Sequence, residues 1–204
     1  METLIPDNLA LLRDKALEWG AERASLFSAR DVIVDERTRL KCLVPRCINY
    51  GRPMCPPNVP PVDEFRKALA RYEQALLVQM AIGAAVEALN AGRSESATLA
   101  QMAEGSRQSA SMSAARRSFY GLIARLEAEA FKLGYRYAAG FAVGNYQAAL
   151  PVGEGPDRSE PPFFARPSME AMGIDVVETA RLAGLPLSFA EPSRLCFSGL
   201  ILID

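Results

Sequence analysis

The chain predicts an α/β fold, an α/β sandwich with a central mixed sheet, flanking helices and a cysteine-rich loop in the N-terminal third. Three observations predict it. Residues 75–82 form a nearly continuous apolar run of strand length, as expected of a central strand covered on both faces. Between residues 115 and 133, Phe119, Leu122, Ile123, Leu126 and Ala130 recur at helical spacing and make a buried stripe, which Gly134 stops. Helical and strand patterns alternate through most of the length, the pattern of helices layered on a sheet.

The elements follow in order. Asp7 can cap a first helix with Leu9, Leu12, Ala16 and Trp19 on its apolar face, and Gly20 ends it. Residues 24–27 and 32–34 read as a small strand pair leading through Arg39 and Leu40 into the cysteine loop. Asp63 and Glu64 suit the positive end of a short helix carrying Phe65, Ala68, Leu69 and Tyr72. Residues 83–114, rich in alanine, serine and methionine, read as a variable, partly helical excursion. Residues 135–143 read as a strand, 144–162 as a proline- and glycine-rich loop, and 166–173 as a helical turn. Asp175 and Glu178 have capping-box spacing for a helix ending at Gly184 and Pro186, and residues 195–203 form the last strand.

Three of the four cysteines, Cys42, Cys47 and Cys55, fall in one short stretch with spacing Cys-x4-Cys-x7-Cys, followed at once by Pro56 and Pro57. The fourth, Cys196, lies near the C-terminal end. Thiolates are soft ligands for zinc, copper(I) and iron–sulfur clusters, and shared ligation needs several sulfurs in one small volume. Pro45, Gly51, Pro53, Pro56 and Pro57 supply the wrapping, since proline fixes φ and glycine permits the left-handed region. Such a loop leaves amides to point at sulfur, and Lys41, Arg46 and Arg52 are expected to lower the thiol pKa. Free cysteines are often small buried hydrophobes, but three in one proline-rich surface loop fit that reading poorly. Cys196 fits either as a fourth ligand or as a buried apolar residue of the last strand.

The chain has no histidine, which excludes Cys/His zinc sites, a Rieske centre and Ser-His or Cys-His catalysis. It has neither a Walker loop nor a Gly-x-Gly-x-x-Gly turn after a strand. At 204 residues, with 50% apolar and 23% charged composition, it reads as one domain over 1–204 with an ordinary core. A net charge of −1 without a basic block implies no nucleic-acid partner. No signal peptide and no membrane-length apolar run is apparent, so a cytoplasmic location, where thiols stay reduced, is expected.

The cysteine loop with Tyr50-Gly51 and Cys55-Pro56-Pro57, the helix closing on Phe131-Lys132-Leu133-Gly134, the segment from Arg166 to Asp175 and the closing Gly199-Leu200-Ile201-Leu202-Ile203-Asp204 together resemble the DUF2284 family of predicted metal-binding proteins. The resemblance spans most of the chain and implies a cysteine-ligated metal or iron–sulfur centre, without a specific activity. It also implies a ferredoxin-like second cysteine group before the Arg166 segment. Residues 144–155 contain no cysteine, so the chain departs from the family pattern there.

Two functions follow as expectations. The first is an iron–sulfur (4Fe-4S) protein with Cys42, Cys47 and Cys55 as ligands and Cys196 or an external group as the fourth. It would serve electron transfer as a redox subunit of a larger assembly, with a redox enzyme or complex subunit as partner and a place in anaerobic metabolism. The second is a structural zinc site on the same four cysteines, in a subunit or assembly factor without redox activity. An enzyme acting on a small anion beside Lys41, Arg46 and Arg52 is a third class, against the plainer reading of solvated basic residues.

Overall fold

The computed structural model describes residues 7–90, 110–144, 164–188 and 195–204. Helix α1 (Asp7–Glu18) buries Leu9, Leu12 and Ala16, and Gly20 takes the left-handed conformation just past its end. Strand β1 (Arg23–Ser28) follows, and Ser28 accepts from the Arg30 amide, turning the chain into a 3-10 helix over Ala29–Asp31. A second 3-10 helix (Glu36–Arg39), capped by the Asp35 carboxylate, runs into the single turn α2 (Leu40–Leu43). Helix α3 (Val62–Leu69) and strand β2 (Gln74–Ala81) lead to α4 (Gly83–Asn90). The long helix α5 (Ala110–Lys132), strand β3 (Ala139–Phe141), helix α6 (Val176–Leu182) and strand β4 (Cys196–Ile203) complete the described elements.

The four strands form one sheet of order β1-β2-β4-β3, antiparallel at every neighbouring pair. The fold is therefore mixed α/β, but the mixed sheet the sequence predicts is corrected to an antiparallel one. The connection through the cysteine loop leaves at Ser28 and returns at Gln74, its register partner, so it folds out and back at one end of the sheet instead of crossing over. Strands β2 and β3 do run the same way, linked through α5, but β4 is inserted between them and antiparallel to both. The described parallel contact is an isolated bridge from Ala142 to Ser168.

Successive strand residues point to opposite faces, and the two apolar clusters divide accordingly. Leu76, Val78, Ile201 and Ile203 meet α1 and α5 residues such as Leu12, Phe119, Ile123 and Leu126. Ala75, Leu77, Leu200 and Leu202 meet Phe65 and Leu69 of α3, Met169, Ile174 and Ala180. The run at 75–82 is thus a central strand buried on both faces. Burying each of these Leu, Ile and Phe side chains contributes about 1.5–3 kcal/mol. Gly199 lets α5 approach β4: a Cβ there would stand 2.6 Å from Ile123 Cδ1 and 2.9 Å from the Phe141 carbonyl oxygen.

Other expectations shift in detail. Residues 32–34 do not pair with β1; β2 takes that edge, and Val34 bridges Ile174 instead. The strand expected over 135–143 shrinks to Ala139–Phe141, because Tyr135 and Tyr137 lie in the turns after α5. Helix α5 starts at Ala110, inside the expected excursion, of which residues 91–109 lie outside the described residues. So does the expected loop from 145 onward. The Asp175 half of the capping box forms, with its carboxylate accepting from the Val177 and Glu178 amides, whereas Glu178 pairs with Arg181.

Candidate metal centre

The cysteine loop hangs from a fastened segment. The Asp35 amide donates to Gly173 O at 2.8 Å, Asp175 N to Ile33 O at 2.8 Å, and Ile33 N to Thr179 Oγ1 at 3.1 Å. Arg66 adds a bond to Val34 O and an ion pair with Glu36 at 2.7 Å. Gly173 makes this docking possible: its φ is +85°, and a Cβ would stand 2.9 Å from Val62 Cγ2. Arg37 grips Asp35 through both carboxylate oxygens and holds that carboxyl down at about 2.

From Arg39 to Asn58 the backbone satisfies itself in consecutive turns. Val44 N donates to Leu40 O, Cys47 N to Cys42 O at 3.0 Å, Tyr50 N to Cys47 O, Arg52 N to Asn49 O, Cys55 N to Arg52 O at 3.1 Å and Asn58 N to Cys55 O at 2.9 Å. Gly51 N closes the loop on Pro56 O at 2.7 Å, and the Asn58 amide ties Gly51 O and Arg52 O. Met54 sits at φ 62°, a left-handed conformation uncommon outside glycine, at the bend just before Cys55. These amides, expected to point at sulfur, are instead committed to carbonyls.

Cys55 is buried, Cys42 and Cys47 are half-buried, and none of the four cysteines forms a disulfide. Burial pushes the Cys42 thiol up from its ordinary value, and the Cys47 and Cys55 thiols push the same way; Arg39 pulls it down, while Glu170 pushes up. Cys47 and Cys55 are therefore each close enough to act on Cys42. The expectation that Lys41, Arg46 and Arg52 lower the thiol pKa is corrected: for Cys42 desolvation wins, and Arg46 stacks over the Tyr50 ring at 4.5 Å. Cys196 is the first residue of β4, paired with Ala81, its thiol pushed up by burial against the opposing pull of Ser198 and Arg23.

Among the described residues no three Cys, Asp or Glu side chains converge closely enough to hold a metal ion as they are placed. The donor set still fits a thiophilic metal in kind, with three soft sulfurs on one wrapped loop and no competing imidazole. Binding requires the thiols to turn toward a common point. Sequence reasoning missed Asn49, whose Oδ1 is buried inside the loop without a partner among the described residues. An asparagine in a turn gives no signal of that.

A scan against protein families matches residues 25–203 to DUF2284, described as predicted metal-binding protein. The chain belongs to the DUF2284 family. The match supports a metal-binding role and a metal cofactor in general terms, and it covers the whole cysteine loop and Cys196. Neither a search of curated proteins nor one of solved structures found a match. Two further features lie inside the DUF2284 region. The first is an ion pair between Glu127 of α5 and Arg166, in which Glu127 also accepts from the Gly140 amide at 3.2 Å. The second is a cavity of about 480 Å³ beside the loop, lined by Lys41, Glu170, Asp175, Cys196 and Ser198 among others. No helix among the described residues is long and apolar enough to cross a membrane.

Proposed function

We propose that the chain holds a cysteine-ligated iron–sulfur cluster of the 4Fe-4S type on Cys42, Cys47 and Cys55 and serves as a cytoplasmic redox subunit of a larger assembly. The observation that carries this reading is the set of three thiols on one turn-built loop, two of them acting on the Cys42 thiol, in a chain of a metal-binding family. We take the fourth ligand to be an external group, since none of the three loop thiols is among the groups that act on Cys196, which opens β4. Such a cluster, when bound, supplies one-electron chemistry or an open iron position. The chain's part is to hold the three sulfurs and to exclude water at Cys55, which is 8% exposed.

The loop surface supports a protein partner. Val44 is 75% and Ile48 64% exposed, with Leu40 and Leu43 also outward. Residues 39–62 contain Arg39, Lys41, Arg46 and Arg52 and no acidic residue, in a chain whose net charge is −1. An apolar patch with a basic collar suits a partner with an acidic rim.

Iron, sulfide and zinc content and the visible spectrum of protein purified without oxygen test the reading. Roughly four irons and four sulfides per chain with a broad brown absorption are expected of a cubane cluster. About one zinc and no colour would replace it with a structural zinc site.

A further inference from the structure

We infer that the cavity beside the cysteine loop binds a small zwitterion of the free amino-acid class, through Ser198, Glu170 and Lys41. At about 480 Å³ it has the size of a small-molecule site. Ser198 lines it, is only 6% exposed, and among the described residues its Oγ has no partner at full hydrogen-bonding geometry, although the neighbouring Cys196 thiol feels its pull. Directly across the strand pair is Gln79, its register partner, fully buried. The Gln79 Nε2 donates to Leu185 O at 2.8 Å, which fixes the amide and leaves Oε1 as an acceptor with no donor among the described residues. Buried polar atoms are seldom left unpaired, because each then bears its full desolvation cost. Two orphans facing each other across paired strands, one of them on a cavity wall, mark where a ligand's donor completes the bonding.

Charge selects the ligand. Asp35 and Arg37 hold each other, and the Asp175 carboxylate caps α6. That leaves Lys41 and Glu170, neither in an ion pair among the described residues. A carboxylate opposite Lys41 and an ammonium opposite Glu170 satisfy both, and an ammonium hydrogen serves the Ser198 Oγ on the cavity wall. A simple anion would face Glu170; a simple amine would leave Lys41 unopposed. Val143, Val177 and Leu187 give the ligand's side chain an aliphatic wall.

The inference stands apart from the metal reading, and its test uses the full chain as purified. Thermal-shift screening and isothermal titration are run with the proteinogenic L-amino acids, then with the des-amino acid and the decarboxylated amine matching the best binder. Saturable one-site binding by at least one amino acid is expected, weakened about tenfold or more in each truncated analogue and in Ser198→Ala and Glu170→Gln. Circular dichroism checks both variants for folding, and Ser198→Ala is expected to leave the ligand-free Tm unchanged or raised, since it removes an orphan hydroxyl. Cys42→Ser is expected to bind the amino acid as wild type does, which separates this site from the metal. No saturable binding by any amino acid overturns the inference, and so does a des-amino acid that binds as tightly or full affinity in both folded variants.

Discussion

Strands β2 and β4 and the cysteine loop satisfy their backbones by opposite means. In the strands, an eight-pair antiparallel ladder takes the amides and carbonyls, and the side chains close against helices on both faces. In the loop, successive short turns do the same work locally, and the large side chains Leu40, Leu43, Val44 and Ile48 point outward. The sheet therefore carries the stability. The segment before the loop is anchored at Asp35 and Asp175, and within the loop the backbone is closed by short turns, so the half-buried Cys42 and Cys47 thiols can turn with little effect on the core.

Substitutions can sharpen or break that contrast. The largest effect is expected in the ladder: Ile201→Ala, at a fully buried position, should cost about 2–5 kcal/mol in chemical denaturation. Gly199→Ala should cost about 1–3 kcal/mol, because the backbone oxygen of Phe141 gives less easily than a side chain. Glu127→Gln weakens the ion pair to Arg166 at a site about one-fifth exposed, and about 1–2 kcal/mol is expected after allowance for solvent. At the small end, Cys42→Ser in metal-free protein should change stability by no more than about 0.5 kcal/mol. Should Cys42→Ser unfold the metal-free chain as Ile201→Ala does, the loop would be a structural part of the core and the contrast would fail.

The thiols add a pH dependence. Burial favours the protonated form of Cys42, so the folded chain holds that proton to higher pH than the unfolded one. The resulting stability is complete below the ordinary thiol value of 9.0 and is lost as pH rises above it. Metal uptake runs the other way: each thiol must release its proton, so apparent affinity should climb steeply as pH rises toward 9.0. Competition titrations with a chelator at several pH values would read this, and a flat profile would mean that protonated thiols are not the ligands.

Much of the sheet was legible in the sequence because burial on both faces leaves a plain mark: the apolar run of β2 and the stripe of α5 each name their own partner surface. Strand order was not, since alternation of helices and strands does not say that β4 inserts between β2 and β3. That Cys42, Cys47 and Cys55 share one short loop was legible from their spacing, whereas spacing did not say that their thiols stop short of a common point. The cavity was not. Ser198 and Gln79 are brought together only through the β2–β4 register, and Lys41 and Glu170 only because the 3-10 helix Glu36–Arg39, just before Lys41, docks on the 3-10 turn Glu170–Met172. Residues far apart in sequence carry no local sign that they will face the same space.

The most direct test of the cysteine-loop assignment is the metal content per chain of wild type, of Cys196→Ser and of the triple variant Cys42→Ser, Cys47→Ser, Cys55→Ser, purified together without oxygen. With the metal held by the three loop thiols, the wild type contains metal, Cys196→Ser retains it, and the triple variant loses it with its metal-free fold intact. Metal retained by the folded triple variant, or absent from the wild type, would contradict it.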